Sequence, residues 1–542
     1  MTLANMAENL RTTVRRIRPV DSSVQGLARS IDHHGSRRRN GLRQRIAELI
    51  AALNGDRTPV GRQWQPSTPT QSTPELLDRL VATLAEVTPA KAWLLLAVLE
   101  GELPSSAKVR SAVRAAALDG ATAAVRLALW NGPLPRYLDA GPWHPVQVVT
   151  DRVLVDVHHT AQTDFATGIQ RVTREATRRW LAAHDATLIG WRPGMTSMRQ
   201  LTPKEVHRAC WGGPAVTVPD DGPVLVPWHC TYILPELAAE VTRTGYLLSM
   251  AEHSGNPMNI IGYDLVPVTT SETSHEGLIP GFAGNLAAAR YARNVVPISV
   301  GAAGEYLGWR DMLAGTGLSG PRIEPVVLPA AAHPVSAEAI DKARARLQVG
   351  GLPLVMVVGS HEPRKNHVAV LHAAELLWRE GQRFCLTFIG GNSWNSDDFT
   401  NGLAGLQAAG RPIEAISAAD DDLLFGGLRV ARFTVFPSIN EGFGLPVAES
   451  LVCGTPVITS NFGSMKEIAD AGGGALLVDP RDDSSIVDAM RRLLTDDALL
   501  AELTRQAENR PVRTWDDYAT ETWAALMHED APVRRSNGNT TI

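Results

Sequence analysis

The spacing of apolar positions changes character along the chain. Between Pro74 and about Leu138, Ala and Leu recur at helical intervals in "PELLDRLVATLAEV", "AKAWLLLAVLEG" and "SAKVRSAVRAAALDGATAAVRLALW". That period predicts a small helical module whose Leu and Trp stripes are packing surface. After Trp143 the apolar runs become short and β-branched: "VLVDVHHT", "ATLIGW", "GPVLVPW", "NIIGYDLVP", "VVPISV" and "IEPVVLP". Helical or loop stretches separate them, including "TGIQRVTREATRRWLAAH". A second series follows "SAEAIDKARARLQV": the strands "LPLVMVVGS", "FCLTFIGG", "FTVFPS" and "TPVITS" alternate with "HVAVLHAAELLWREG", "DDDLLFGGLRVA", "LPVAESLVCG" and "SSIVDAMRRLLTD". Such alternation predicts an α/β protein with two doubly wound, Rossmann-like halves, each a mostly parallel sheet covered on both faces. Two halves joined near residues 330–345 would leave a cleft, and open α/β sheets bind ligands beyond the carboxyl ends of their strands.

Length and composition add limits. A chain of 542 residues exceeds one ordinary core, so two domains with appendages are expected. Hydrophobic content of 44% and charged content of 20% suit a globular protein, and a net charge of -5 argues against a nucleic-acid partner. Cys210, Cys230, Cys385 and Cys453 are scattered without zinc spacing and read as reduced, buried thiols. Neither a spanning apolar run nor a signal-like h-region is evident, which predicts a cytoplasmic location. Ten arginines between Arg11 and Arg45 face only Glu8, Asp21 and Asp32, and a Pro/Ser/Thr-rich stretch follows. This reads as a mobile basic leader and linker, solvated in preference to making weak peripheral contact with anionic lipid at the inner face of a membrane. The expected organisation is leader and linker over 1–73, helical module over 74–145, α/β domains over 146–335 and 336–510, and a closing helix and tail over 511–542.

The chemistry concentrates at two predicted strand ends. In "VVGSHEPRKNH" a strand ends at Val358, Gly359 permits a close turn, and Arg364 and Lys365 stand just before a helix starting near Asn366. A forked guanidinium and an ammonium beside a helix N-terminus suit a diphosphate. In "PSINEGFGLPVAESLVCGTPVI", Glu441 and Glu449 lie eight positions apart. Between them Gly442, Phe443, Gly444 and Leu445 form a turn whose N–H groups can face phosphate, and Pro446 suits a first helical turn. A glycosidase pair of carboxylates does not account for the amides and cations. A nucleotide sugar does: its diphosphate takes the cations and amides, and its hydroxyls donate to the carboxylates.

These residues carry a resemblance. "RKN", "FPSINEGFGLPVAESLVCGTPVI" and "GSMKEIADAGGGALLVDPRD" resemble the donor domain of family 4 retaining glycosyltransferases of the GT-B fold, whose paired-glutamate signature falls on Glu441 and Glu449. "TGIQRVTRE" is similar to the glycine loop of bacterial lipopolysaccharide and polysaccharide mannosyl- or rhamnosyltransferases, which puts Gly168 against the donor. "IIGYDLVPVTTSE" and "VVPISVGAAGEYL" are similar to later first-domain segments, and "VRTWDDYATETWAAL" to the family's closing helix, with Trp515, Tyr518 and Trp523 as packing anchors. The likeness runs from about residue 151 to 523. It implies that Glu449 accepts from the ribose, that Glu441 contacts the transferred sugar, and that Arg364 and Lys365 neutralise the departing diphosphate.

Tyr263 stands beside Asp264 where many relatives have histidine; Tyr263, Asp264 and His158 are the acceptor-side candidates. No metal or other cofactor is required by this scheme, and Asp420, Asp421 and Asp422 read as a helix cap and first-turn acids. The expected activity is retaining transfer of a hexose from a nucleotide diphosphate sugar to a glycan, glycolipid or small-molecule hydroxyl. Rival readings are a non-catalytic subunit of a polysaccharide-assembly complex and a GT-B nucleotide-sugar epimerase.

Overall fold

The computed structural model describes residues 36–56, 65–66, 69–131, 144–163, 167–214 and 222–529. They form two compact units. One comprises the described residues of Met1–Phe165, His184–Met258 and Gly284–Ala292; the other those of Ala166–Ala183, Asn259–Ala283 and Arg293–Ile542.

The first unit opens with helices over Ser36–Leu53, Thr73–Thr83, Pro89–Glu100, Ser106–Asp119 and Ala121–Asn131. The Ser36–Leu53 helix corrects the expectation of a leader reaching residue 73: Leu42, Ile46, Leu49 and Ile50 recur at helical spacing and are buried. Its central arginine is buried too, because the Arg45 guanidinium donates to the carbonyls of Leu99 (2.9 Å) and His144 (2.8 Å). Most of the basic leader, residues 1–35, lies outside the described residues.

This unit also holds β1 (Val146–Thr150), β2 (Val153–Asp156), β3 (Ala186–Trp191), β4 (Met198–Gln200), β5 (Val224–Trp228) and β6 (Thr231–Leu234), in the order β1-β5-β4-β3-β2-β6. Pairing is parallel except around β4, which runs against β3 and β5. The exception follows from chain length. Only six residues join β3 to β4, enough for a hairpin turn through Gly194 and Met195, both at positive φ, but too few for a crossover helix. The outer edge of β1 is closed by side chains: Gln44 donates to the Val146 carbonyl (2.7 Å) and accepts its N–H (3.3 Å), and Glu48 accepts the Val148 N–H (3.1 Å).

In the second unit β7 (Met258–Gly262), β8 (Asn294–Pro297) and β9 (Arg322–Ile323) pair in parallel. "IEPVVLP" contributes only its first residue to β9; the rest is not strand. A six-stranded, wholly parallel sheet follows: β10 (Leu354–Val358), β11 (Cys385–Ile389), β12 (Ile413–Ile416), β13 (Phe433–Phe436), β14 (Val457–Ser460) and β15 (Ala475–Val478), in the order β12-β11-β10-β13-β14-β15. Alternation along β10 sends Val355 and Val357 to one core, with Phe388 and Leu377, and Leu354 and Met356 to the other, with Phe425 and Leu428. Strand order reverses between β10 and β13, the topological switch point where such sheets open a crevice.

The helix Trp515–Leu526 packs on Gly168–Ala183. The rings of Trp180 and Trp523 lie 5.6 Å apart, and the Trp180 indole N–H donates to the Ala519 carbonyl at 2.9 Å. Among the described residues no helix is long and apolar enough to cross a membrane.

Candidate functional site

The two strands at the switch point, β10 and β13, each end in one of the two motifs. After β10, Gly359 takes φ 139° and lies against Gly390, where a Cβ would sit 2.0 Å from the Gly359 carbonyl oxygen. Only glycine fits at 390, so the loops after β10 and β11 can lie side by side. Residues Pro363–Lys365 then form a single 3₁₀ turn, and Asn366, at φ 57°, starts the helix His367–Arg379. This reversal turns Arg364 and Lys365 inward: Lys365 is buried, with its ammonium 4.9 Å from the Phe436 ring centre.

After β13, the chain passes Ser438 and Glu441, turns at Gly444 with φ 96°, and enters the helix Leu445–Val452. Among the described residues, the N–H groups of Phe443, Gly444 and Leu445 donate to no protein acceptor, so the helix start presents open donors and a positive dipole end. Gly442 is packed so closely that a Cβ would approach the Asp264 carboxylate to 3.0 Å.

The structure brings the motifs together at Glu441. One carboxylate oxygen meets Arg364 at 2.5 Å; the other meets Lys365 at 2.5 Å and the Ser438 hydroxyl at 2.7 Å. Arg364 also donates to Glu362 (2.6 Å) and to the Asn440 carbonyl (2.8 Å). Burial alone would push the Glu441 carboxyl up, but the two cations and the hydrogen bonds hold it at about 2. Burial draws the Lys365 ammonium below its usual value, against the pull of Glu441. Asp264 is raised by burial, which outweighs Arg364.

Glu449, buried on the same helix, is raised by burial despite a short ion pair with Arg171. Gly168 lies beside Leu445, with 3.2 Å between a Cβ built there and Leu445 Cδ1. Around this centre Ser299 donates to the Gly442 carbonyl (2.6 Å), Ser464 to the Glu441 carbonyl (2.8 Å) and Asn440 to Glu305 (2.7 Å). Glu467 accepts the N–H groups of Val300 (3.1 Å) and Gly301 (3.0 Å). Tyr263 is buried, its hydroxyl 3.4 Å from the Ile169 carbonyl and 3.5 Å from the Thr173 hydroxyl.

Residues 340–510 match the family described as Glycosyl transferases group 1. The match covers this segment alone, less than a third of the chain. The serotype-specific mannosyltransferase WbdA of Escherichia coli is 27% identical over 340 residues, 59% of this chain and 39% of that protein. A D-inositol 3-phosphate glycosyltransferase of Acidothermus cellulolyticus is 37% identical over 189 residues, 33% of this chain and 42% of that one. The chain thus spans well under half the length of these curated relatives. Sucrose-phosphate synthase of Thermosynechococcus elongatus overlays with a TM-score of 0.49 at 18% identity, covering 69% of this chain and 97% of that one.

The group 1 domain supplies every predicted donor-side residue except Gly168, which lies in the same unit, as do Tyr263 and Asp264. His158 belongs to the other unit. There its Nδ1 accepts the Trp191 N–H at 3.0 Å, and burial lowers its pKa to about 4, so the ring is neutral and structurally committed. It borders a buried network in which Arg243 meets Asp156 and Glu236, each at 2.9 Å, and the Trp191 indole donates to Asp156 at 2.7 Å. Asp420 caps its helix, accepting the Leu423 N–H at 2.8 Å. Among the described residues no cluster of His, Cys, Asp or Glu could hold a metal ion. Arg171, Ser438, Gly390 and Glu362 all lie inside stretches quoted above, "TGIQRVTRE", "PSINEGFGLPVAESLVCGTPVI", "FCLTFIGG" and "VVGSHEPRKNH", but nothing in the local pattern marks their individual roles.

Proposed function

We propose that the protein is a retaining glycosyltransferase that moves a hexose from a nucleotide diphosphate sugar to a hydroxyl of a glycan, glycolipid or small molecule. The observation that carries this reading is the junction at the β10–β13 switch point: a buried ammonium and a partly buried guanidinium, a carboxylate shared between them, and open amides at a helix start. The diphosphate binds Arg364, Lys365 and the amides of Phe443, Gly444 and Leu445. Glu441 then exchanges part of its hold on the cations for hydroxyls of the transferred sugar, and Glu449 accepts from the ribose. As the anomeric C–O bond breaks, its electron pair passes to the diphosphate oxygen, where fixed positive charge stabilises it. The acceptor oxygen forms the new bond to the anomeric carbon and passes its proton to the departing diphosphate.

The cations supply the charge a metal would, so the reaction runs without one. Similarity to proteins named mannosyltransferases favours a mannosyl donor and a polysaccharide acceptor. The test is nucleoside diphosphate release from a panel of nucleotide sugars with oligosaccharide acceptors, in EDTA. Acceptor-dependent release that Glu441→Gln lowers by about 100-fold supports the reading. A wild-type rate in that variant, or sugar epimerisation without release, would discard it.

A further inference from the structure

We infer that Arg171 is a positioning residue for the nucleoside end of the donor, clamping one oxygen of Glu449 so that the other is presented to the ribose diol. The inference rests on the nucleotide-sugar reading above. Three observations lead to it. Glu449 is a buried carboxylate with one donor among the described residues: Arg171 Nη1 reaches its Oε1, and Oε2 takes no protein donor. The guanidinium is itself tethered, since Nη2 reaches the Ala331 carbonyl at 3.4 Å. Finally, the helix that carries Arg171 starts at Gly168, against Leu445, so the clamp arrives beside the helix start assigned to the diphosphate.

An acceptor of hydroxyl hydrogens must stay ionised, and burial works against that at Glu449. The charged groups bearing on it are Arg171, which favours the carboxylate, and Asp421, which opposes it; the Cys453 thiol lies one turn along the same helix. Removing Arg171 therefore lets Glu449 take up a proton at higher pH, turning Oε2 from an acceptor into a partial donor. A structural arginine would affect folding but not the discrimination between ribose and its dideoxy form.

The experiment is calorimetric titration of the full chain with GDP and UDP and with their 2′,3′-dideoxy forms, at mildly acidic and mildly alkaline pH. For whichever ribonucleotide binds, Arg171→Met is expected to weaken affinity about tenfold at acid pH and less at alkaline pH, with little change for the dideoxy form. Arg171→Lys, which keeps the charge, recovers most of the loss and guards against a misfolded Met variant. Equal losses for ribo and dideoxy nucleotides, or no pH dependence in either variant, overturn the inference. If Glu449→Ala leaves ribonucleotide binding unchanged, or the wild type binds neither these nucleotides nor any nucleoside diphosphate of the donor panel, the parent reading falls with it.

Discussion

Both units bury charged side chains at the carboxyl ends of parallel strands, yet they do so differently. In the first, Asp156 and Arg243 are fully enclosed; Asp156 takes donors from Arg243, Trp191 and Tyr232, and Glu236 takes Arg243 together with the Thr160 N–H and hydroxyl. Each carboxylate is saturated by its own chain. In the second, Glu441 divides its oxygens between two cations next to amides that find no acceptor among the described residues. Charge at a strand end therefore marks a candidate site only when some of its partners remain to be matched; a saturated network is scaffold.

Four predictions would break or sharpen that contrast. The largest effect is expected from Asp156→Ala, which takes one of the buried carboxylates from Arg243 and leaves the Trp191 indole and Tyr232 hydroxyl without their acceptor, and should cost about 3–5 kcal/mol in urea unfolding; a loss near zero would show that the first network is not scaffold. Arg364→Ala should lower kcat/KM for the donor about 100-fold while costing less stability than Asp156→Ala, because Glu441 keeps Lys365 and Ser438. If instead stability collapses and the residual folded fraction turns over normally, Arg364 is scaffold as well.

Acid should act on the second unit in two windows. His367 is held neutral by burial, with a pKa of about 3 against 6.5 for the free group. Unfolding therefore binds a proton between those values, and stability falls as pH drops below about 6.5, by up to about 1.4 kcal/mol per pH unit. Glu441, at about 2 against 4.5, favours the folded state above pH 4.5 and loses that effect as pH falls toward 2. Replacing His367 with Phe should make the first limb of a stability-versus-pH curve shallower, with His158 and His361, also lowered by burial, keeping part of it, and should leave the second; an unchanged first limb removes His367 as a cause. The smallest effect belongs to Gly444→Ala: a Cβ there has room, with its nearest neighbour 3.5 Å away, so only the φ of 96° is strained, at about 1–2 kcal/mol.

The second half was far more legible in sequence than the first, for a physical reason. Strands buried on both faces, such as Leu354–Val358, are unbroken apolar runs, and the glycines and charges at their ends stand out. Arg364, Lys365, Glu441 and Glu449 were readable because local spacing constrains them. Short pieces were not: Met198–Gln200 forms a strand through the hairpin after Trp191, and Ile413–Ile416 and Ala475–Val478 complete a sheet whose order no local pattern encodes. The Ser36–Leu53 helix was hidden by its arginines, since composition cannot show that Arg45 would find two carbonyls. Arg171 was hidden by distance, 278 positions from Glu449.

The amide of Gln44 both gives to and takes from Val146, so a side chain performs the pairing that another strand would otherwise perform. The sheet in the first unit consequently ends in a helix, and its outermost backbone is denied to other chains. Any shortened version of this protein that begins after residue 56 would present a bare, sticky border, and an attempt to trim it to its two α/β portions should yield inclusion bodies instead of a smaller soluble protein.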